Sequence, residues 1–151
     1  MTAIIFPGQG SQYVNMSMDF NANFDVARKV FQEIEDSTQI NIRKIITENP
    51  LDNLNQTNYT QISIFSASMA IYKSLLSEFG NEIIKPKILL GHSLGEYSAL
   101  VAGDFINIRD ASILIKKRGE LMHTSIEPNV SGMAAIIGKN ADFIDDVIKK
   151  N

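Results

Sequence analysis

Gly91-His92-Ser93-Leu94-Gly95 has the form G-x-S-x-G and follows the apolar run Ile88-Leu89-Leu90. A serine becomes a useful nucleophile when three needs are met: exposure, a base for its proton, and donors for the oxyanion that forms. The motif meets the first need. Its glycines let a strand turn sharply into a helix, which lifts Ser93 Oγ to the carboxyl end of a sheet. The flanks agree, with a strand before and helix-forming "EYSALVA" after. The backbone N–H of Leu94 is then a natural oxyanion donor, helped by the positive end of the helix. An ordinary glycine turn is the alternative, and the strand and helix on either side argue against it.

A second oxyanion donor has to come from a loop after another strand. "PGQGSQ", from Pro7 to Gln12, follows the apolar run Ala3–Phe6. Its glycines allow close backbone approach, and Gln9 can present its N–H there. A plain connecting turn is the alternative. A phosphate cradle is excluded, because neither G-K-[ST] nor G-x-G-x-x-G is present. Arg118 shares an i, i+4 row with Leu114 and Met122, beside an apolar stripe where an unpaired charge is costly. Its planar guanidinium can hold a carboxylate bidentately. It can equally snorkel at the edge of the core, and spacing alone leaves both readings open. Lys116 and Lys117 are expected to face water.

The base is harder to find. The chain has two histidines. His92 adjoins Ser93 on the tight turn, where neighbouring side chains diverge, so it is poorly placed to take the Oγ proton. His123 lies five positions past Arg118 and points away from that face. Neither is a candidate, and no other residue is offered as the base.

These residues need elements to hold them. Ala3–Phe6 reads as a buried strand stopped by Pro7-Gly8. Phe24 to Ser37 carries Val26, Val30, Phe31 and Ile34 at helical spacing. Asn41 to Ile46 is a shorter helix closed by Asn49-Pro50, and "LDNLNQTNYTQ" reads as a loop. From Ile62 to Gly80 a long helix sets Ile64, Ser68, Ile71, Leu75 and Phe79 near one stripe. A strand at Ile88–Leu90, the serine turn and a helix to about Val101 follow. Asp110 to about Ile126 is another helix, ended by Pro128. Met133–Ile137 is a third strand candidate, and Asp142–Lys150 a last helix. Short continuous apolar strands alternating with helices predict an α/β fold with a parallel sheet. Three strands are few for such a sheet.

The whole composition narrows the function. The chain has 151 residues, 44% of them hydrophobic, which suits about one domain. A net charge of −3 gives no basic footprint for nucleic acid and no polybasic membrane patch. The absence of cysteine removes disulfides, a thiolate nucleophile and cysteine-ligated metal. No apolar run approaches a membrane span, and the first residues lack the pattern of a secretory signal. A soluble cytoplasmic protein is expected.

With the motifs in place, "IFPGQGSQ", "TQISIFSASMAIY", "GHSLGEYSALVAG", "KKRGELM" and "SGMAAIIG" resemble, in that order, the malonyl-CoA:acyl-carrier-protein transacylases of bacterial fatty acid synthesis. The resemblance covers essentially the whole chain and implies ping-pong acyl transfer. The serine takes malonyl from coenzyme A and passes it to the phosphopantetheine thiol of acyl carrier protein. Carried over by motif, Ser93 is the nucleophile, Gln9 and Leu94 are the oxyanion-hole positions, Gln61 lies near the active site, and Arg118 binds the malonyl carboxylate. Ile62 stands where the family pattern has proline. No metal and no cofactor are implied, coenzyme A arriving as the thioester substrate. The implied fold is an α/β-hydrolase-like parallel sheet with flanking helices over residues 1–128. A small ferredoxin-like subdomain begins at 129–151 and is truncated there. The family's catalytic histidine is expected in a second half, beyond these residues. A catalytically incomplete or binding-only member of the family, or an esterase-type hydrolase, are the other readings.

Overall fold

The computed structural model describes residues 2–80, 83–125, 136–138 and 140–150. Strand β1 (Ala3–Phe6) pairs in parallel with β2 (Ile88–Gly91), in the register Ala3 to Ile88 through Phe6 to Gly91. A parallel pair needs a long crossover. Here the crossover carries four α-helices: α1 (Met18–Asn23), α2 (Asp25–Thr38), α3 (Ile42–Glu48) and α4 (Thr57–Phe79). After β2 come α5 (Gly95–Ala102), α6 (Ile108–Thr124) and α7 (Ala141–Lys150). The described residues therefore form an α/β unit, mostly helical, with a small parallel sheet.

The core lies among helices. Ala27, Val30, Phe31 and Ile34 recur at helical spacing and form the buried face of α2. Asn41 caps α3, its Oδ1 accepting from the Lys44 N–H at 3.1 Å. Helix α4 runs through the middle. From Thr60 to Ala70 every residue is buried, so this stretch has no wet side. Its small residues, among them Ser63, Ser66, Ala67 and Ala70, let neighbours approach from all directions. Helix α6 starts at the Asn107 cap, whose Oδ1 accepts from the Asp110 N–H at 2.8 Å. It then crosses α4 at Gly119, where an added Cβ would stand 3.0 Å from the Asn58 Cα.

Several expectations need correction. "LDNLNQTNYTQ" is no loop: Pro50–Asn55 is a 3₁₀ helix, and Thr57 already opens α4. Gln56 supports that start, its carbonyl accepting from the N–H groups of Tyr59 and Thr60. Polarity misleads here because backbone carbonyls take up buried hydroxyls: Thr60 Oγ1 donates to the Leu54 and Gln56 carbonyls, and Ser66 Oγ to the Ile62 carbonyl. The expected stripe on α4 is buried at Ile64 and Ser68 and opens outward to Phe79, 49% exposed. Strand β1 is buried only at Phe6, with Ile5 at 69% exposure. Lys116 does not stand free in water, since its Nζ donates to the Thr38 carbonyl at 2.9 Å and ties α6 to the end of α2. The strand expected at Met133–Ile137 falls at 133–135 outside the described residues, and Ile136 and Ile137 lie in no strand. Ile126 and Pro128, the expected end of α6, also lie outside them. The remaining expected helices agree within a few residues, and α1 is an addition.

Candidate active site

The serine turn is held by its backbone. The His92 N–H donates to the Phe6 carbonyl at 3.1 Å, which extends the β1–β2 pairing by one step. The Gly95 N–H then closes onto the His92 carbonyl at 2.9 Å, and the Glu96 N–H onto the Ser93 carbonyl at 3.1 Å. Ser93 sits between them at φ 56°, in the left-handed region that costs an L-residue about 1–2 kcal/mol. The side chain is exposed as a result. Such strain persists only where the surroundings over-determine it. They do so here: a Cβ on Gly91 would lie 2.0 Å from the Gly95 carbonyl carbon, and one on Gly95 would lie 2.4 Å from the Phe6 carbonyl oxygen. Both motif glycines are thus required by backbone contact. Leu94 follows as the N-cap of α5, its side chain fully buried.

The loop after β1 leans on the same turn. A Cβ on Gly8 would meet His92 Nδ1 and the His92 carbonyl oxygen, each at 2.6 Å. The loop is pinned at Ser11, whose N–H and Oγ both donate to the Gly8 carbonyl. It is also tied to the start of α4, where Gln9 Nε2 donates to Thr57 Oγ1 at 3.2 Å. Among the described residues, no hydrogen bond uses the backbone N–H of Gln9 or of Leu94. His92 therefore has a structural contact of its own, and His123 is exposed near the end of α6.

Gln61 and Arg118 meet at the α4–α6 crossing. Gln61 is a second-turn residue of α4 and fully buried. Its Oε1 accepts from Arg118 Nη1, and its Nε2 donates to Met122 Sδ at 3.2 Å. Arg118 Nη2 donates to Ser93 Oγ at 2.9 Å. The guanidinium carbon also lies 5.9 Å from the Tyr97 ring centroid. Among the described residues, Arg118 has no carboxylate partner, and the hydrogen bond to Ser93 Oγ comes from this arginine alone. The row Leu114–Arg118–Met122 is more open than expected: Leu114 is 49% and Met122 43% exposed, while α6 buries Ala111, Ser112, Ile115 and Gly119. The structure thus brings together Ser93, Gln61 and Arg118, with Leu94 beside the serine. Gln9 is anchored next door and bonds to none of them. Tyr97 and Met122 are the additions. Tyr97 has a sequence signal, since it lies one helical turn past Ser93.

A half-buried cation bonded to a strained, exposed serine can hold an anionic group beside a nucleophile. The comparison with known families decides the lineage, because the acyl transferase domain matches residues 3–148. The chain belongs to the acyl transferase domain family. Within that family it is 35% identical to malonyl CoA-acyl carrier protein transacylase of Haemophilus influenzae, over 98% of this chain and 47% of the relative. It is 34% identical to the enzyme of that name from Bacillus subtilis, of which it covers 45%. Among solved structures, acyl-carrier-protein-S-malonyltransferase from Bartonella henselae superposes with a TM-score of 0.88 at 34% identity, over 99% of this chain and 48% of that one. A malonyl-transacylase solved in complex with its type II polyketide acyl-carrier protein superposes with a TM-score of 0.87 at 35% identity, over 98% of this chain and 47% of that one. This acyl transferase chain spans about half the length of the curated relatives it matches.

Proposed function

We propose that this chain is the serine-bearing half of a transacylase that moves malonyl from coenzyme A to the phosphopantetheine thiol of acyl carrier protein. The observation that carries the reading is Arg118, a cation without a carboxylate partner among the described residues, bonded to the exposed Ser93 Oγ. A malonyl thioester fits this pair: one end offers a carbonyl to the serine, the other a carboxylate to the arginine. Ser93 Oγ attacks the thioester carbonyl, the C–S bond breaks, and coenzyme A leaves as the thiol with the serine proton. The carrier thiol then attacks the seryl ester and returns the proton to Oγ. Gln9 and Leu94 serve as the oxyanion donors of both steps, and Gln61 holds the arginine. The strand–serine–helix turn supports an α/β-hydrolase-like core for residues 1–128, and the ferredoxin-like start expected at 129–151 falls partly outside the described residues. Substrates of this kind put the activity in the cytoplasm. The named relatives act on the same two partners.

The chain shows no general base at Ser93 among the described residues, and this favours a second reading, a catalytically incomplete unit. Base assistance is worth roughly 10²–10⁴-fold. Intact-mass measurement after incubation with malonyl-CoA, beside a Ser93→Ala control, tests both readings. One serine-dependent malonyl adduct establishes the acyl-enzyme. No adduct alone, but one after addition of the complementary half of a relative, establishes the incomplete unit. No adduct under either condition overturns the transacylase reading.

A further inference from the structure

Among the described residues, Arg118 is the one cation bonded to Ser93, and the groups that hold it are neutral. Nη1 rests on the Gln61 amide oxygen and Nη2 on the Ser93 hydroxyl. Its guanidinium carbon lies over the Tyr97 ring, 5.9 Å from the centroid. Tyr97 is half-buried on the first turn of α5, four residues after Ser93. The helix that starts at the serine therefore also presents the shelf under the arginine. An acidic partner would fix the guanidinium equally well, but would neutralise it and repel an incoming carboxylate. An aromatic face attracts the cation through its quadrupole and uses none of its N–H donors.

We propose that Tyr97 is a positioning residue that holds the Arg118 guanidinium in place for a malonate-type carboxylate and so sets the preference for charged over uncharged acyl groups. The proposal rests on the carboxylate role assigned to Arg118 above. The ring is the part that acts, so Tyr97→Phe retains the function and Tyr97→Leu loses it.

The test is an NMR titration of the whole chain with malonate, and with acetate as the short control, in wild type, Y97F, Y97L and R118A. In wild type the Arg118 side-chain protons are expected to carry an upfield ring-current shift. Y97F keeps that shift, and Y97L removes it. Malonate binding is expected to weaken roughly three- to tenfold in Y97L and to stay near wild type in Y97F. The weak binding of acetate changes little in any Tyr97 variant. An unshifted Arg118 in wild type overturns the proposal without any variant having to fold. So does a Y97L protein that folds and binds malonate as wild type does. If R118A binds malonate normally, the carboxylate role of Arg118 fails, and the ring-current shift still shows whether Tyr97 holds the arginine.

Discussion

Ser93 bears both a chemical and a conformational load, and the two can be separated by choice of substitution. At φ 56° an L-residue is strained and glycine is not. Ser93→Gly is therefore expected to be more stable than Ser93→Ala by about 1 kcal/mol, read from urea midpoints at equal slope. Both variants lack the adduct. Equal midpoints would mean that the turn relaxes when the Ser93–Arg118 bond is lost. Arg118 acts through charge, so Arg118→Ala is expected to shift acylation from malonyl-CoA toward acetyl-CoA, by roughly tenfold or more in the ratio of adduct rates. An unchanged ratio would remove the carboxylate role. The residues around the serine were legible in sequence because the turn is local: two glycines, a strand and a helix lie between Ile88 and Ala102. The Arg118–Gln61 contact spans 57 positions and the Arg118–Ser93 contact 25. Helical spacing placed Arg118 on a row and left its partner undetermined. Only the crossing of α4 and α6 supplies it.

That crossing is a property of the elements, and at Gly119 the two backbones approach closely. Alanine is the better helix former by about 1 kcal/mol, so on propensity alone Gly119→Ala would stabilise α6. The added Cβ would instead sit 3.0 Å from the Asn58 Cα and 3.2 Å from its carbonyl oxygen, both backbone atoms that cannot swing aside. Overpacking costs about 1–3 kcal/mol, and the net expectation is a loss of stability in thermal or urea melts. A gain would show that α4 and α6 can separate at this point. Asn107 sets where α6 begins, and Asn107→Ala is expected to cost about 0.5–2 kcal/mol in the same melts, with little change in the acyl preference. The long helices were readable wherever one face is apolar, as in α2. The first turns of α4 were not. A helix buried on all sides loses its stripe, and one rich in serine, threonine and glutamine at its start has the composition of a loop.

Taken as a whole, the chain keeps its stability away from its sheet. The buried set is dominated by α2, α3, α4 and α6, with Phe31, Ile34, Phe65 and Ile115 fully enclosed. The two strands leave Ile5 at 69%, Ile88 at 43% and Leu90 at 49% exposure. Phe31→Ala is therefore expected to cost about 3–5 kcal/mol, whereas Ile5→Ala should fall within about 0.5 kcal/mol. Similar losses at both sites would place the sheet inside the cooperative core. The relatives of known structure are about twice as long as this chain. Sequence periodicity predicted buried strands because it assumes a complete sheet, and among the described residues a two-stranded pair offers little cover on either side.

The three close approaches at Gly8, Gly91 and Gly95 have a consequence for how this molecule tolerates change. They join the first loop, the end of β2 and the start of α5 with no room for a single carbon, against backbone at Gly91 and Gly95 and against both the carbonyl and the ring of His92 at Gly8. In a saturation scan read by folded abundance, these positions should accept glycine and almost nothing else. Ser93, enclosed by them, should accept many residues on that measure and fail only when acylation is scored. The least replaceable positions are thus the ones without a side chain, and the residue assigned the chemistry is the dispensable guest of a frame that would fold around it regardless.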